Sequence, residues 1–363
     1  MILIRLLLCV GLSLVGANTM AACNFRSGSQ GLTLKQPLQA GSLTIGRDVP
    51  QGAEIYRQSF SSSTPLLVTC TGGTSTAQRQ AVFSSVPLSL SDWNNSPYAQ
   101  KVYTTTVPGI GVVIEYYNAA VPHSSPTAVC SNASAQACDV DITQAVNFDL
   151  VFIKIGDVSS GTIQGSSLPA VAINWVTDNS LRLGTLDYSG SINIVSQTCT
   201  TSDVIVPMGS HKLSEFSGKN TFTAWQDFSI TLSNCPAFHG YYQSAGPTWS
   251  NNGTVVGVDL RKSNVLKVRL DSTITPVDPT RGILQLNAGG SGGAASARGV
   301  GLQVADNLGN PLRLATLYAS GVILTNQAGG SYNIPLRARY IQTEDSITAG
   351  PANATSTFTI DYY

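Results

Sequence analysis

The chain of 363 residues ends on TAGPANATSTFTIDYY, residues 348–363, and this stretch decides the fold. Between Ala354 and Tyr362, small, apolar or aromatic residues alternate with threonine and aspartate. This alternation, rich in β-branched and aromatic residues, predicts a strand with one apolar face. Chain ends usually fray unless something holds them, so we expect a neighbour beside this strand.

The rest of the sequence predicts short strands separated by turns. No helical period longer than about two turns stands out, so the pattern favours a sandwich or barrel. About 340 exported residues exceed what one core usually supports, so we expect two all-β domains, residues 22–196 and 197–363. Strand-like runs include PLLVTC (65–70), GVVIEYY (111–117), FDLVFIKIG (148–156), SGSINIV (189–195) and DVIVPM (203–208).

The first 21 residues predict a secretory signal peptide. They carry one Arg5, an apolar run from Leu6 to Val15 and then small residues, and the run is too short to span a membrane as a stable helix. An alternative is a lipoprotein acylated at Cys23, which the pairing of the cysteines disfavours. We expect export and no membrane-spanning segment.

Six of the seven cysteines lie beyond the signal peptide. An even number in an exported chain predicts disulfides. Pairing between neighbours is the simplest of the possible connectivities, and it gives Cys23–Cys70, Cys130–Cys138 and Cys199–Cys235. None has the CxxC spacing of a zinc or redox site.

Composition argues against several classes of function. Without Arg5 the exported chain has 19 basic residues (20 − 1) and 20 acidic residues, a net charge of −1 (19 − 20), and no basic patch for nucleic acid or membrane. The three histidines have no metal-ligand spacing. GGSGG, residues 289–293, has the GxSxG form, but no helix follows it as a nucleophile elbow requires. We expect neither an enzyme nor a cofactor nor a bound metal.

Several segments of residues 199–363 resemble the pilin domain of chaperone-usher fimbrial subunits. They are Cys199 with DVIVPMG, LSNCP ending at Pro236, GVGLQVADNLGNPL (299–312), LRARYI (336–341) and the terminal segment. In that family a glycine stands fourteenth from the end and a tyrosine is penultimate, positions that Gly350 and Tyr362 occupy here. The resemblance implies an incomplete immunoglobulin-like fold that lacks its last strand.

The resemblance also implies what lies beside the terminal strand. An open edge is an aggregation hazard, and the family covers it with a strand lent first by a periplasmic chaperone and then by the next pilin subunit. An outer-membrane usher is the third implied partner. The groove residues would be Phe358, Ile360, Tyr362 and Tyr363. The alternative is a complete sandwich whose last strand simply ends the chain.

The segment before Cys199 is too long to be the donor extension of an ordinary pilin, and too few exported residues precede Cys23 to form one. This predicts a fimbrial tip subunit on the cell surface. DVPQGAEIYRQ (48–58) and VYTTTVPGIGVVI (102–114) make residues 23–195 similar to type 3 fimbrial adhesins, which implies a β-sandwich that binds a host glycan or matrix protein. The alternative is a structural tip adaptor without a receptor. SINIV alternates like a donor strand, but its position favours the last strand of the first domain.

Loops of the first domain supply the candidate receptor contacts. SDWNNSPY (91–98) places aromatic and amide side chains in one turn-rich stretch, although the tryptophan could instead pack inward. Two aspartates follow the Cys130–Cys138 loop at same-face spacing, although this loop could be purely structural. One of the adjacent tyrosines of GVVIEYY could also reach a ligand. The candidates are Trp93, Asn94, Asn95, Tyr98, Tyr117, Asp139 and Asp141.

Overall fold

The computed structural model describes residues 22–71, 76–130, 137–289 and 294–363. The predicted signal peptide, the tip of the Cys130–Cys138 loop and most of GGSGG lie outside these ranges. The regular secondary structure of the described residues consists of strands and four short 3-10 turns, so the all-β prediction is confirmed. No helix among them is long and apolar enough to cross a membrane.

Residues 22–195 are called the N-terminal half. Its 3-10 turns are Thr143–Ala145 and Gly165–Ser167. Its strands are β1 (Ala22–Phe25), β2 (Leu32–Pro37), β3 (Ser42–Thr44), β4 (Glu54–Ser61), β5 (Leu67–Thr71), β6 (Thr76–Ser85), β7 (Tyr103–Thr104), β8 (Ile110–Tyr116), β9 (Ala119–Ala120), β10 (His123–Ala128), β11 (Ala137–Asp141), β12 (Asn147–Lys154), β13 (Gly161–Gln164), β14 (Ala170–Val176), β15 (Ser180–Ser189) and β16 (Ser191–Val195).

Residues 196–363 are called the C-terminal half. Its 3-10 turns are Leu213–Glu215 and Val258–Leu260. Its strands are β17 (Thr200–Thr201), β18 (Gln226–Cys235), β19 (Thr248–Ser250), β20 (Val255–Val256), β21 (Leu266–Ser272), β22 (Ile283–Leu284), β23 (Val300–Asp306), β24 (Tyr318–Ala319), β25 (Gly330–Gln342) and β26 (Ser356–Tyr362).

The N-terminal half surrounds one large apolar core. A five-stranded sheet has the order β10-β6-β14-β15-β2, and a second large sheet has the order β20-β19-β4-β12-β8-β7, with β9 beside β8. Three-stranded sheets β1-β5-β11 and β13-β16-β3 complete this half. β8 is buried along its whole length, as its continuous apolar run predicts. The core includes Tyr56, Phe60, Tyr116, Leu150 and Phe152.

The C-terminal half has a second core between two sheets. Their orders are β17-β18-β25-β23-β22 and β24-β21-β26. Residues 203–208, predicted as a strand, belong to no strand in the structure. Their apolar side chains still alternate inward, because Val204 and Met208 are half-buried while Ile205 between them is exposed.

The three disulfides pair the cysteines as the sequence predicts. The bonds are Cys23–Cys70, Cys130–Cys138 and Cys199–Cys235. The first joins β1 to β5 at directly opposed positions. The third joins the start of the C-terminal half to the end of β18. Each disulfide therefore lies within one half of the chain.

The two halves are closely packed. β19 lies in the C-terminal half but pairs in parallel with β4, Thr248 to Ser250 opposite Ser59 to Ser61. Tyr242, also from the C-terminal half, is 1 % exposed within the N-terminal core. The domain boundary near residue 196 stays a prediction, and the segment 240–262 packs on the N-terminal half across it.

Candidate functional site: an open strand edge and two groups of loops

β26 has one open edge. Its only partner strand among the described residues is β21, which pairs from Leu266 opposite Tyr362 to Ser272 opposite Ser356. Tyr363 and Val265 exchange both backbone hydrogen bonds, at 3.0 and 2.9 Å. Since backbone groups alternate in direction along an antiparallel strand, the N–H and C=O groups of residues 356, 358, 360 and 362 point away from β21. Within the described chain, no backbone partner lies opposite Ser356, Phe358 and Ile360 on that side.

The side chains of this edge face the core of the C-terminal half. Ile360 and Tyr362 are 7 % and 4 % exposed, and Phe358 is half-buried against the same cluster. The Tyr362 hydroxyl accepts a hydrogen bond from the Cys199 N–H at 3.0 Å, and burial raises the pKa of this hydroxyl. Val204 packs on this cluster too. The edge and Val204 therefore contact the same core.

Tyr363 lies outside this apolar row. Its carbonyl accepts from the Asn264 side chain at 3.1 Å, and the Lys267 ammonium lies 3.8 Å from the centre of its ring. A glycine is sterically required at position 350, because a Cβ on Gly350 would lie 2.3 Å from the Ala295 carbonyl oxygen. This glycine lets the chain turn closely before it enters β26.

The end of the open edge is in contact with the N-terminal half. The Tyr362 N–H donates to the Asp48 carboxylate at 3.0 Å, and the Asp48 N–H donates to the Tyr362 carbonyl at 3.3 Å. Gly46 lies against the same carbonyl, since a Cβ on Gly46 would be 2.0 Å from that oxygen. The Lys154 ammonium donates to the Arg47 carbonyl, so Lys154 holds the loop formed by residues 46–48.

The predicted receptor loop 91–98 lies across the outer face of the second large sheet. Tyr98 is buried, 6 % exposed, so its prediction as a surface contact is wrong. The turn residues around it suggested exposure, but its ring packs on Val113, Val151 and Ile153. Its hydroxyl donates to Glu115 at 2.8 Å, and burial together with this bond raises its pKa.

Trp93 is half-buried and packs against the same small cluster as Tyr98. Its ring lies beside Gly52, where a Cβ would approach it to 3.3 Å. Asn94 and Asn95 are exposed. The inward alternative for Trp93 is therefore the one that its packing favours, while the two asparagines remain free to contact a ligand.

The charged residues beneath Tyr98 were not singled out from the sequence. Arg57 contacts Glu54 at 2.7 Å, Glu115 at 2.7 Å and Asp149 at 3.0 Å. Burial acts to lower the pKa of Arg57, and the bonds to Glu54 and Glu115 more than offset it. The pKa is therefore raised. Their positions on three different strands gave no local signal.

These charged groups line an open cavity of about 580 Å³. With one guanidinium and three carboxylates the cavity carries excess negative charge. Another wall is formed by residues of the C-terminal half, Ser244, Ala245, Gly246 and Thr248, and the Ser244 N–H donates to Glu54 at 3.2 Å. Both halves of the chain therefore build this cavity.

Tyr117 lies in a turn and not on a strand as predicted. It and Asn118 have φ of 50° and 59°, and they connect β8 to β9. Tyr117 is 44 % exposed, its hydroxyl donates to the Gln144 carbonyl at 3.0 Å, and the Arg79 guanidinium lies 4.0 Å from the centre of its ring. An exposed aromatic ring with one fixed cation is available to a ligand.

Asp139 and Asp141 lie exposed on one face of β11, as their spacing predicts. Asp139 forms a 3.3 Å ion pair with Arg26 and accepts from Thr69 at 2.6 Å. Asp141 accepts from the N–H and hydroxyl of Thr143, and these bonds lower its pKa. Asp141 therefore has a structural partner at the start of the 3-10 turn.

The structure separates the candidate receptor residues into two groups. Tyr117 bonds Gln144, which lies just before the start of β12. Trp93 lies beside Gly52, whose N–H donates to the carbonyl of Lys154, the last residue of β12. The eight residues of β12 span roughly 23 Å. Tyr117 with Asp141 thus lies at the end remote from Asp48, and Trp93 lies at the near end. No group of three or more His, Cys, Asp or Glu side chains in the described ranges could hold a metal ion.

This geometry defines a disulfide-bonded all-β protein whose last strand has an open edge. Residues 187–363 match the family model described as fimbrial protein. A type-1 fimbrial protein subunit of Serratia marcescens is 28 % identical over 200 residues, which cover 54 % of this chain and 93 % of that protein.

Two solved structures are also similar. The CupB6 tip adhesin from Pseudomonas aeruginosa matches with a TM-score of 0.34 and 16 % identity, over 94 % of this chain and 95 % of that one. The receptor binding domain of the adhesin MrkD1P of Klebsiella pneumoniae matches with a TM-score of 0.32 and 22 % identity, over 50 % of this chain and 98 % of that one.

Proposed function

We propose that this chain is the tip adhesin of a chaperone-usher fimbrium, exported through the periplasm and displayed on the cell surface. Its C-terminal half accepts a donor strand, and its N-terminal half binds a host glycan or matrix protein. The proposal assigns it no catalytic role. Its partners are a periplasmic chaperone, the outer-membrane usher and the next pilin subunit.

The observation that carries the proposal is the pairing of β16. This strand, SINIV, lies where an ordinary pilin would have its free donor segment. It pairs antiparallel with β13 and parallel with β3, so both of its edges are used inside the N-terminal half. The C-terminal half can therefore receive a strand along β26, while the segment before it is not free to be given.

The open edge of β26 supports the accepting role. The outward N–H and C=O groups of Phe358 and Ile360 have no partner within the described chain, and a buried unpaired backbone group is costly. A strand added along the open edge of β26 would bond these groups and cover the core beneath. This is β-strand addition, in which backbone bonds give affinity and alternating side chains give specificity.

The remote end of the N-terminal half supports a receptor role. Tyr117 offers an exposed ring beside Arg79, and Asp139 lies exposed on β11. An aromatic face with fixed polar groups is a usual way to hold a sugar ring or a protein side chain. Asn94 and Asn95, near the other end, form the second candidate contact.

The test is binding of the exported chain, refolded with a donor peptide, to immobilised glycans and matrix proteins. We expect at least one specific ligand, with binding lost in Tyr117→Ser and kept in Leu308→Ala, which changes a residue of the C-terminal half that is 79 % exposed. If no ligand binds while the peptide still stabilises the chain, the structural tip adaptor replaces the adhesin. If the peptide has no effect, the accepting role is wrong.

A further inference from the structure

The open edge of β26 has unequal ends. Four residues direct their backbone groups outward: Ser356, Phe358, Ile360 and Tyr362. At the first three positions these groups have no backbone partner within the described chain, whereas both groups of Tyr362 are bonded to Asp48. The edge is thus closed at its last position by the molecule's own N-terminal half.

The loop that carries Asp48 is held in place by several contacts. Gly46 packs so closely on the Tyr362 carbonyl that no Cβ could fit without a shift. Arg47 is held through its carbonyl by the buried Lys154, whose backbone in turn bonds Gly52 and Ala53. Two residues before Gly46, Thr44 donates to the Gly240 carbonyl at 3.0 Å. The loop is therefore fixed on both sides.

We propose that the loop Gly46–Asp48 is a register stop for the strand that β26 accepts. An incoming strand can bond Phe358 and Ile360, but it cannot bond Tyr362 without displacing Asp48. In a sheet, a shift of one residue moves every side chain to the other face, so a fixed end restricts the partner to registers that stop at Ile360. The N-terminal half thus helps to choose the partner of the C-terminal half.

The partner that fits is an extended segment of another protein with apolar residues at alternate positions. Beyond the residue opposite Ile360 it must leave the sheet, because Asp48 occupies the next position. The Asp48 carboxylate disfavours an acidic residue at that point. This inference rests on the proposed accepting role, and the experiment separates the two.

The experiment measures residue-level amide exchange in the exported chain refolded with a synthetic peptide. The peptide alternates valine with threonine, carries a lysine at each end and has about eleven residues, so that it overruns the seven residues of β26. We expect the peptide to slow exchange at Phe358 and Ile360 at least about tenfold. Peptide amides beyond the stop should exchange as in free peptide.

Two variants open the stop, and one control does not. In Gly46→Ala and in Asp48→Ala we expect protection to extend by one further peptide amide, with Tyr362 bonded to the peptide. Gly156→Ala is the matched control, since a Cβ there meets only an ordinary contact at 3.8 Å. If Gly46→Ala fails to fold, Asp48→Ala alone decides.

The outcomes are distinguishable. No slowing at Phe358 and Ile360 in the unchanged protein means that β26 accepts no strand, and the proposed function fails. Slowing there, together with peptide pairing at Tyr362 in the unchanged protein, overturns the register stop alone. Equal peptide protection in the unchanged protein and in Asp48→Ala also overturns it.

Discussion

Tyr242 joins the two halves of the molecule, and its removal gives the sharpest test of their packing. It lies in the C-terminal half but is 1 % exposed inside the N-terminal core. Its ring meets Tyr56 edge-on at 5.8 Å, and the Arg261 guanidinium lies 5.0 Å from its centre. Its hydroxyl donates to the Val258 carbonyl at 3.0 Å, and its backbone N–H donates to the Ile55 carbonyl at 3.2 Å.

The structure sets the expected size of the effect. Truncating a fully buried aromatic ring costs about 3 to 5 kcal/mol, so we expect Tyr242→Ala to lower the free energy of unfolding of the N-terminal half by about 4 kcal/mol. Tyr242→Phe keeps the ring and loses one hydrogen bond, which should cost about 1 kcal/mol. Since about 1.4 kcal/mol is a factor of ten in an equilibrium constant, Tyr242→Ala should speed the amide exchange that occurs through unfolding of this half by nearly three orders of magnitude.

The assay is hydrogen exchange by mass spectrometry, followed in peptides that cover β4 and β12. Phe238→Ala is the matched control, because Phe238 is a buried aromatic residue in the same connection after β18 but packs in the core of the C-terminal half. Tyr242→Ala should speed exchange in β4 and β12, and Phe238→Ala should act mainly on β18 and β25. If Tyr242→Ala leaves β4 and β12 unchanged, residues 240–262 do not pack on the N-terminal half.

Three further predictions follow from the charged and aromatic contacts. Arg57→Met leaves three carboxylates around a partly buried site and should cost about 3 kcal/mol in urea unfolding, whereas Arg26→Ala breaks an exposed pair and should cost under about 1 kcal/mol; equal losses would contradict this. Burial and Asp48 raise the pKa of Asp361, so the folded form binds a proton more readily than the unfolded chain. Stability therefore falls as pH rises from the ordinary aspartate pKa of about 3.9 through the raised pKa of the folded form. Asp361→Asn should therefore raise the urea midpoint at pH 7 and lose this advantage near pH 3, and a variant that is no more stable at pH 7 would refute the assignment. Trp93→Ala should lower the melting temperature, because about 2 kcal/mol of packing is lost, while receptor binding persists. An unchanged melting temperature would mean that Trp93 contributes no packing and is a surface residue.

Local patterns in the sequence predicted much of the fold. The period-two alternation around Phe358 and Ile360 gave β26, and the interior position of SINIV gave β16 as a strand of the N-terminal half. Pairing of neighbouring cysteines was also correct. Each of these depends on residues that are close in sequence, where strand period and loop closure leave few choices.

The contacts between the halves could not be predicted in this way. Asp48 bonds Tyr362 across 314 residues of sequence, and Glu54 bonds Ser244 across 190. Neither contact has a periodic signal, because each joins single positions on separate elements. Tyr98 shows the opposite failure: its neighbours are typical of an exposed turn, but the loop lies flat on an apolar sheet face.

The C-terminal half completes sheet edges of the N-terminal half, and this explains why the two are so closely packed. β4 would be an edge strand without β19 beside it. In the segment 40–44, which includes β3, the outward carbonyls of Ala40, Ser42 and Thr44 accept hydrogen bonds from side chains of the C-terminal half. These are Arg261, at 2.5 Å to Ala40 and 2.6 Å to Ser42, and Asn264, at 2.9 Å to Thr44. Exposed strand edges promote association with other chains. The C-terminal half therefore covers two edges of its neighbour, while its own edge at β26 stays open up to Asp48.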